Sequence, residues 1–164
     1  MIIVGIDPGY KGAIATLNGK GKLRRILPMP IIKVGNKNQL DENAICKFLE
    51  RRLISIEHVF IEAVHSMPKQ GVASTFAFGA GWGILRGICV GLHLPYTLVH
   101  SRSWKKVMCR DVPKGKDAGI LVAKRIWPGV ILLPSTRCRK DSDGMADALL
   151  IAEYGRRTII GVQQ

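Results

Sequence analysis

Acidic side chains are scarce in this chain. Twelve Asp and Glu stand against 25 Lys and Arg, a net charge of +13 over 164 residues. A domain this basic points to a polyanion partner, nucleic acid first, because phosphate contacts dominate such affinities; a protein that is merely basic and soluble is the plain alternative. Cysteine is sparse too. Cys46, Cys89, Cys109 and Cys138 are widely spaced and form no C-x-x-C pair, which argues against zinc ligands and disulfides and for reduced thiols in a reducing compartment. No run approaches a membrane span. The longest nearly apolar stretch, 76–95, contains Arg86 and His93 and is dotted with glycine, so it reads as a buried helix. No basic-apolar leader precedes the first apolar run, and any targeting segment is expected to have been removed or never to have existed. Internal repeats and low-complexity segments are lacking as well.

What remains is one domain of ordinary size, with 47% apolar residues and enough length to bury a core. It opens on Ile2-Ile3-Val4-Gly5-Ile6-Asp7-Pro8-Gly9. A short apolar run rich in β-branched residues and stopped by Pro-Gly reads as a buried strand, which leaves Asp7 at its carboxyl end. A carboxylate is costly in a core unless paired. Asp7 either caps the turn or forms one wall of a metal site, and the second reading requires further acids elsewhere.

Residues 12–17 and 23–27 read as the second and third strands, joined by the hairpin signal Asn18-Gly19-Lys20-Gly21. Three strands so tightly connected form an antiparallel meander. The segment 28–39 reads as a loop, and a helix is expected from 40 to about 53, with acids first and bases last. His58-Val59-Phe60-Ile61-Glu62 is the next strand and again ends in a carboxylate. A long helix follows over about 72–92, with Gly79, Gly83, Gly87 and Gly91 every fourth residue. Glycine costs roughly 1 kcal/mol against alanine in a helix, so this stripe should serve close packing, either on the domain's own sheet or against a partner subunit. Beyond it come a strand at 95–99, a short basic helix from Ser101, a helix opened by Asp117 and closed by Pro128, and a brief strand at 130–133. A basic loop over 134–140 precedes the last helix, which runs from about 141 to Tyr154 with Gly155 at its end. The domain is thus expected to cover 1–155, with a tail at 156–164.

Asp143 and Asp147 lie four apart on that last helix, on one face about a turn from each other. A chain poor in acid has placed Asp7 and Glu62 at strand ends and two further carboxylates on a helix. Asp143 with Asp141 at the helix start and Asp147 in solvent is the plain alternative. Clustered acids in low dielectric favour a divalent cation, which removes their repulsion. Oxygen-only donors suit Mg²⁺, with Mn²⁺ as a substitute, and two such ions about 3.5–4 Å apart can clamp an in-line phosphodiester displacement. Asp7, Glu62, Asp143 and Asp147 are therefore the candidate catalytic and metal-ligating residues.

An acid closing the first strand, another closing the fourth, and an acid-bearing final helix resemble the layout of ribonuclease H-like nucleases. Gly5-Ile6-Asp7-Pro8-Gly9, Phe60-Ile61-Glu62 and Ala146-Asp147-Ala148-Leu149 resemble the motifs of the RuvC-type Holliday junction resolvases. Met67-Pro68-Lys69-Gln70-Gly71, Ser103-Trp104-Lys105 and the segment 143–152 look like the plastid branch, the monokaryotic chloroplast resolvases. One departure is visible. Bacterial members usually place the upstream helix acid or histidine three residues before the last Asp, where this chain has Gly144 and sets Asp143 one residue earlier.

The resemblance implies an α/β, ribonuclease H-like fold, with a mixed five-stranded sheet of antiparallel meander plus parallel strands, flanked by helices. It implies a Mg²⁺-dependent endonuclease, a homodimer that binds a four-way DNA junction and nicks it symmetrically with two ions per site, using no small-molecule cofactor and no membrane. It also implies the plastid stroma or nucleoid, with a bacterial or phage-infected cytoplasm as the alternative. A ribonuclease acting on RNA or an RNA–DNA hybrid, and a non-catalytic nucleic-acid-binding module of this fold, are the competing readings. Lys69, Lys105, Lys106, Arg137, Arg139 and Lys140 flank the acids in sequence and are the candidate DNA contacts, with Lys114 and Lys116 behind them. Phe76, Phe78 and Trp82 are either base-stacking groups or core.

Overall fold

A computed structural model of the chain describes residues 1–64, 71–113, 115 and 117–161. Strands β1 (Ile2–Asp7), β2 (Ala13–Asn18) and β3 (Leu23–Pro28) form the expected meander. A small hairpin follows, β4 (Ile31–Val34) with β5 (Lys37–Leu40), and then helix α1 (Glu42–Glu50). Next come β6 (Ile56–Ala63), helix α2 (Val72–Gly91) and β7 (Tyr96–His100). Helices α3 (Ser101–Met108), α4 (Ala118–Ile126) and α5 (Asp143–Ile160) complete the described chain. The main sheet has the order β3-β2-β1-β6-β7, with β6 parallel to both β1 and β7.

Side chains on a strand alternate between faces, and the two cores follow that period. Ile3, Ala13, Ala15, Leu17 and Phe60 face one way, into a core shared with α3, α4 and α5. Val4, Ile6, Ile14, Val59 and Ile61 face the other, toward α1 and α2. The result is three layers, helix on sheet on helix. The α5 side is built from small residues. A Cβ on Gly5 would overlap the Ala148 carbonyl and the Ala152 nitrogen, so only glycine admits α5 at this distance from β1. Ala146, Ala148 and Ala152 are fully buried on the helix side of the same seam.

Several expectations are corrected. Residues 31–40 are a hairpin instead of a loop: Ile31 pairs with Leu40 and Val34 with Lys37, and Gly35 turns the chain at φ 59°. Residues 130–133 form no strand. Leu132 is fully buried in the α5-side core, and its carbonyl accepts from Ser142 N at 2.8 Å, so this run braces the start of α5 and pairs with nothing in the sheet. The last helix does not stop at Gly155. It continues to Ile160 and ends on Gly161 at φ 74°. Gly155 is a packing glycine, since any Cβ there would enter the Phe60 ring. Arg156 and Arg157, expected in the tail, both ion-pair with the buried Glu153.

Helix α2 departs most. By length and composition it could cross a membrane, yet only Gly81, Leu85 and Cys89 are buried. It lies on the outer surface of its layer with one stripe against the sheet. The glycine stripe points the other way. A Cβ on Gly79, Gly83, Gly87 or Gly91 would meet no atom within 4 Å, which removes the reading in which the stripe packs on the domain's own sheet. The four cysteines are free, with Cys89 buried.

The β1–α5 seam makes a direct prediction. Gly5→Val should lower the thermal midpoint by roughly 5–10 °C, from an overpacking penalty near the upper end of about 1–3 kcal/mol in a domain of this size. A midpoint unchanged within error would mean that the seam does not hold α5 in place.

Candidate active site

The two strand-terminal acids meet because their strands are neighbours. Ile6 of β1 is in register with Ile61 of β6, so Asp7 and Glu62 end parallel strands side by side. Gly5 and Phe60 point to the α5 layer, and the two-residue period sends Asp7 and Glu62 the same way. Helix α5 then brings its acids to them. Ser142 caps it, accepting from Met145 N at 3.2 Å, and Asp143 occupies the first turn, where the helix dipole favours negative charge. Gly144 is the contact point. Its ideal Cβ would overlap the Lys11 carbonyl and lie 2.9 Å from Asp7 Oδ2. No side chain fits at 144, which explains why the upstream acid stands at 143 in this chain. Asp147 follows one turn on, beside Gly119 of α4, whose Cβ would lie 2.6 Å from Asp147 Oδ1.

The acids lie near enough to feel one another's charge. Burial pushes Asp7 up to about 7, and the charges of Glu62, Asp147 and Asp143 add to that, against a lowering by the Gly9 backbone hydrogen bond. Burial likewise raises Asp147 to about 6; the charge and hydrogen bond of Lys105 oppose the rise, and Glu62 and Asp143 reinforce it. Lys105 Nζ lies 3.2 Å from Asp147 Oδ2. Burial alone would lower this lysine, but the Asp147 charge and hydrogen bond, with Glu62 and Asp7 behind them, raise it on balance. Among the described residues, no three His, Cys, Asp or Glu groups are drawn together tightly enough to hold an ion in this conformation. The acids interact electrostatically while Lys105 supplies the positive charge. The donor chemistry, carboxylate oxygen without imidazole or thiolate, fits a hard divalent cation.

Two tryptophans fix Glu62. Fully buried Trp104 of α3 donates Nε1 to Glu62 Oε1 at 3.1 Å, and Trp82 of α2 donates Nε1 to the Glu62 carbonyl at 3.1 Å. One therefore orients the carboxylate and the other its backbone. The Trp104 contact carried no sequence signal of its own beyond its place in Ser103-Trp104-Lys105. Trp82 is accordingly structural, held under the Arg86 guanidinium at 4.5 Å. Phe76 is 78% exposed and Phe78 is half-buried.

Two basic grooves border Asp143, one of them reaching Asp147 as well. A cavity of about 690 Å³ is lined by Lys105 and Lys106, together with Arg102 and Arg110, and has Asp143 and Asp147 on its floor. A second, of about 510 Å³, is lined by Arg139 and Lys140, together with Lys11, and reaches Asp143 from the other side. Four of the six candidate DNA contacts are thus brought to the site. Arg137 is exposed and lines neither groove. Lys69, like Lys114, Lys116 and His65, lies outside the described residues. Sequence reasoning missed Lys11, Arg102 and Arg110. Lys11 follows Asp7 by four residues, and that proximity was the available signal. Asp141 does not join the acids; it is paired with Lys124.

The raised Asp7 has a consequence for stability. Its ordinary value of 3.8 applies to the unfolded chain and about 7 to the folded one, so the folded state holds the proton more tightly. The penalty is absent below 3.8, grows as pH rises and is complete above about 7. Asp7→Asn should therefore raise the thermal midpoint of the metal-free protein at pH 8, by roughly 2–4 °C for each kcal/mol relieved, with no gain at pH 4. Equal midpoints at pH 8 would show that Asp7 is not a destabilising buried charge.

No protein-family model matches this chain, and no curated protein does. Solved structures do match. The chain is similar to T. thermophilus RuvC in complex with a Holliday junction substrate, with a TM-score of 0.66 and 17% identity over 100% of this chain and 98% of that one. It is also similar to a second Thermus thermophilus RuvC structure, with a TM-score of 0.58 and 19% identity over 98% of this chain and 97% of that one. At these identities the likeness is one of fold. The mixed five-stranded sheet and its flanking helices are the ribonuclease H-like fold of RuvC.

Proposed function

We propose that this protein is a structure-specific endodeoxyribonuclease that resolves four-way DNA junctions by metal-assisted phosphodiester hydrolysis. One observation carries the reading: in a chain of net charge +13 with only 12 acids, Asp7, Glu62, Asp143 and Asp147 lie near enough to feel one another's charge, and Asp143 borders two basic grooves. Asp7, Glu62, Asp143 and Asp147 are the residues that would hold divalent ions, Mg²⁺ or Mn²⁺ by donor type. When bound, two such ions would activate the attacking water and stabilise the leaving 3′-oxygen. The protein's own part is positioning. Trp104 holds Glu62 in one orientation. Gly144 lets α5 approach Asp7. Lys105 pairs with Asp147, and its half-exposed ammonium would be available to a substrate phosphate if a bound cation took over that carboxylate.

The homodimer belongs to this proposal, through α2. Val72, Phe76 and Val90 are 87%, 78% and 61% exposed, and helical periodicity sets them on the same face as Gly79, Gly83 and Gly87. An apolar stripe of this kind lets a second backbone approach closely, and two-fold symmetry in the protein would match that of a junction. The plastid branch, and with it a plastid location, rests on the resemblance of Ser103-Trp104-Lys105 and the segment 143–152, in which Trp104, Lys105 and both helix acids face the site.

The decisive assay offers the protein a four-way junction, a linear duplex and an RNA–DNA hybrid, each with Mg²⁺ or EDTA. Paired symmetric nicks in the junction alone, abolished by EDTA, are expected; cleavage of the hybrid alone would overturn the reading in favour of a ribonuclease. Asp7→Asn and Glu62→Gln should abolish nicking and keep junction binding. Trp104→Phe should lower the rate about 10–100-fold, as loss of a partner behind a metal ligand does.

The dimer has its own test. A Cβ at Gly83 meets no atom within 4 Å, so Gly83→Leu should not lower the thermal midpoint of an isolated subunit while converting a dimer to a monomer in sedimentation. A wild-type protein that stays monomeric across the micromolar range would contradict the dimer.

A further inference from the structure

The groove on the β1–β2 side of the acids has more built into it than charge. One wall is the turn at 9–12, closed by Gly12 N donating to Gly9 O at 2.8 Å and tied to the next strand by Met29 N donating to Gly12 O at 2.9 Å. The Lys11 carbonyl is pressed against Gly144, so this wall is fixed relative to Asp143. The opposite wall is the loop before α5, pinned by Ser142 N on Leu132 O at 2.8 Å. Between them lies a floor of apolar groups. Met29 is buried and Tyr10 half-buried, both on the α1/α2-side core. Lys11, Arg139 and Lys140 stand at the rim, all exposed. Among the described residues, none of these three is in an ion pair. An apolar, aromatic floor under a cationic rim is the chemistry of a nucleotide, with the base on the floor and phosphates at the rim. The volume, about 510 Å³, is within the range of about 300–1,000 Å³ typical of pre-formed ligand sites.

Asp143 lines this groove and also the one between α3 and α4. A strand leaving one groove for the other therefore passes Asp143, the residue the two share. We infer that the cut strand runs through both grooves, and that the one formed by Tyr10, Lys11, Met29, Arg139 and Lys140 is a subsite for the nucleotide flanking the scissile phosphate. This rests on the nuclease reading for its substrate. The fixing of both walls gives the subsite a positioning role: a base seated on Tyr10 sets which phosphate lies beside Asp143.

Each groove contains one thiol, Cys138 here and Cys109 in the other, and these allow a direct test. Asp7→Asn protein is mixed with a four-way junction carrying a disulfide-activated tether on one strand, one nucleotide to the 5′ or to the 3′ side of the crossover point. One tether position should cross-link to Cys138 and the other to Cys109, assigned by peptide mass, and Cys138→Ser should remove only the first adduct. Both positions reacting with Cys109 alone, or neither reacting with Cys138, would overturn the subsite. In parallel, Lys11→Glu should weaken junction binding about tenfold, as should Tyr10→Ala with rescue by Tyr10→Phe; unchanged affinity in both would count against it. Cross-linking needs binding only. Wild-type protein that binds and cross-links as expected but never nicks would strike the nuclease reading and leave the subsite standing.

Discussion

The close approach of α5 to β1 is the constraint on which the rest of the molecule depends. Gly5 has no Cβ because the backbone of Ala148 and Ala152 occupies that space. Gly144 has none because the Lys11 carbonyl and Asp7 occupy that one. These two positions set the height of the helix above the sheet, and that height brings Asp143 and Asp147 to Asp7 and Glu62. Farther along, Gly155 seats the helix on Phe60 and allows it to run on to Ile160. Packing and site assembly are the same event here, since no loop adjustment could restore the four acids if the helix were displaced.

Burying like charges is unfavourable, and the protein leaves that cost partly unrelieved. Asp7 is held up to about 7 and Asp147 to about 6 by burial first and by the neighbouring carboxylates second. Lys105 offsets part of the repulsion as a tethered cation, but it is about half exposed, and a solvent-screened pair of this kind contributes little. A structural ion pair would have been buried and saturated, as Glu153 is by Arg156 and Arg157. The contrast separates the two acid clusters: one is satisfied and structural, the other is strained and opens to basic grooves. Such strain is what an arriving divalent ion would relieve.

Much of this was legible in the sequence because it follows local periodicity. The meander, β6, β7 and the face shared by Asp143 and Asp147 are read from alternation of two or from helical spacing of four. The failures were tertiary. Gly155 has the residue type of a helix stop and the burial of a packing contact, and only the position of Phe60 decides between them. The run at 130–133 is apolar enough for a strand, but Leu132 fills a gap beneath α5. The stripe on α2 was visible as a pattern, whereas its outward direction depends on which side of the helix carries Leu85 and Cys89. Trp104 and Lys105 are adjacent in sequence and reach Glu62 and Asp147 respectively, a split that needs the placement of α3 across the sheet. Arg102 and Arg110 are two cations among 25, and nothing in their sequence neighbourhood ranks them above the others.

The account stands on the four acids acting together as a divalent-cation site, and calorimetric titration of Mg²⁺ into the DNA-free protein tests that most directly. Saturable binding is predicted for the wild type, lost in Asp7→Asn and retained in Asp141→Asn, whose carboxylate is already paired with Lys124. Identical heats for wild type and Asp7→Asn would contradict it.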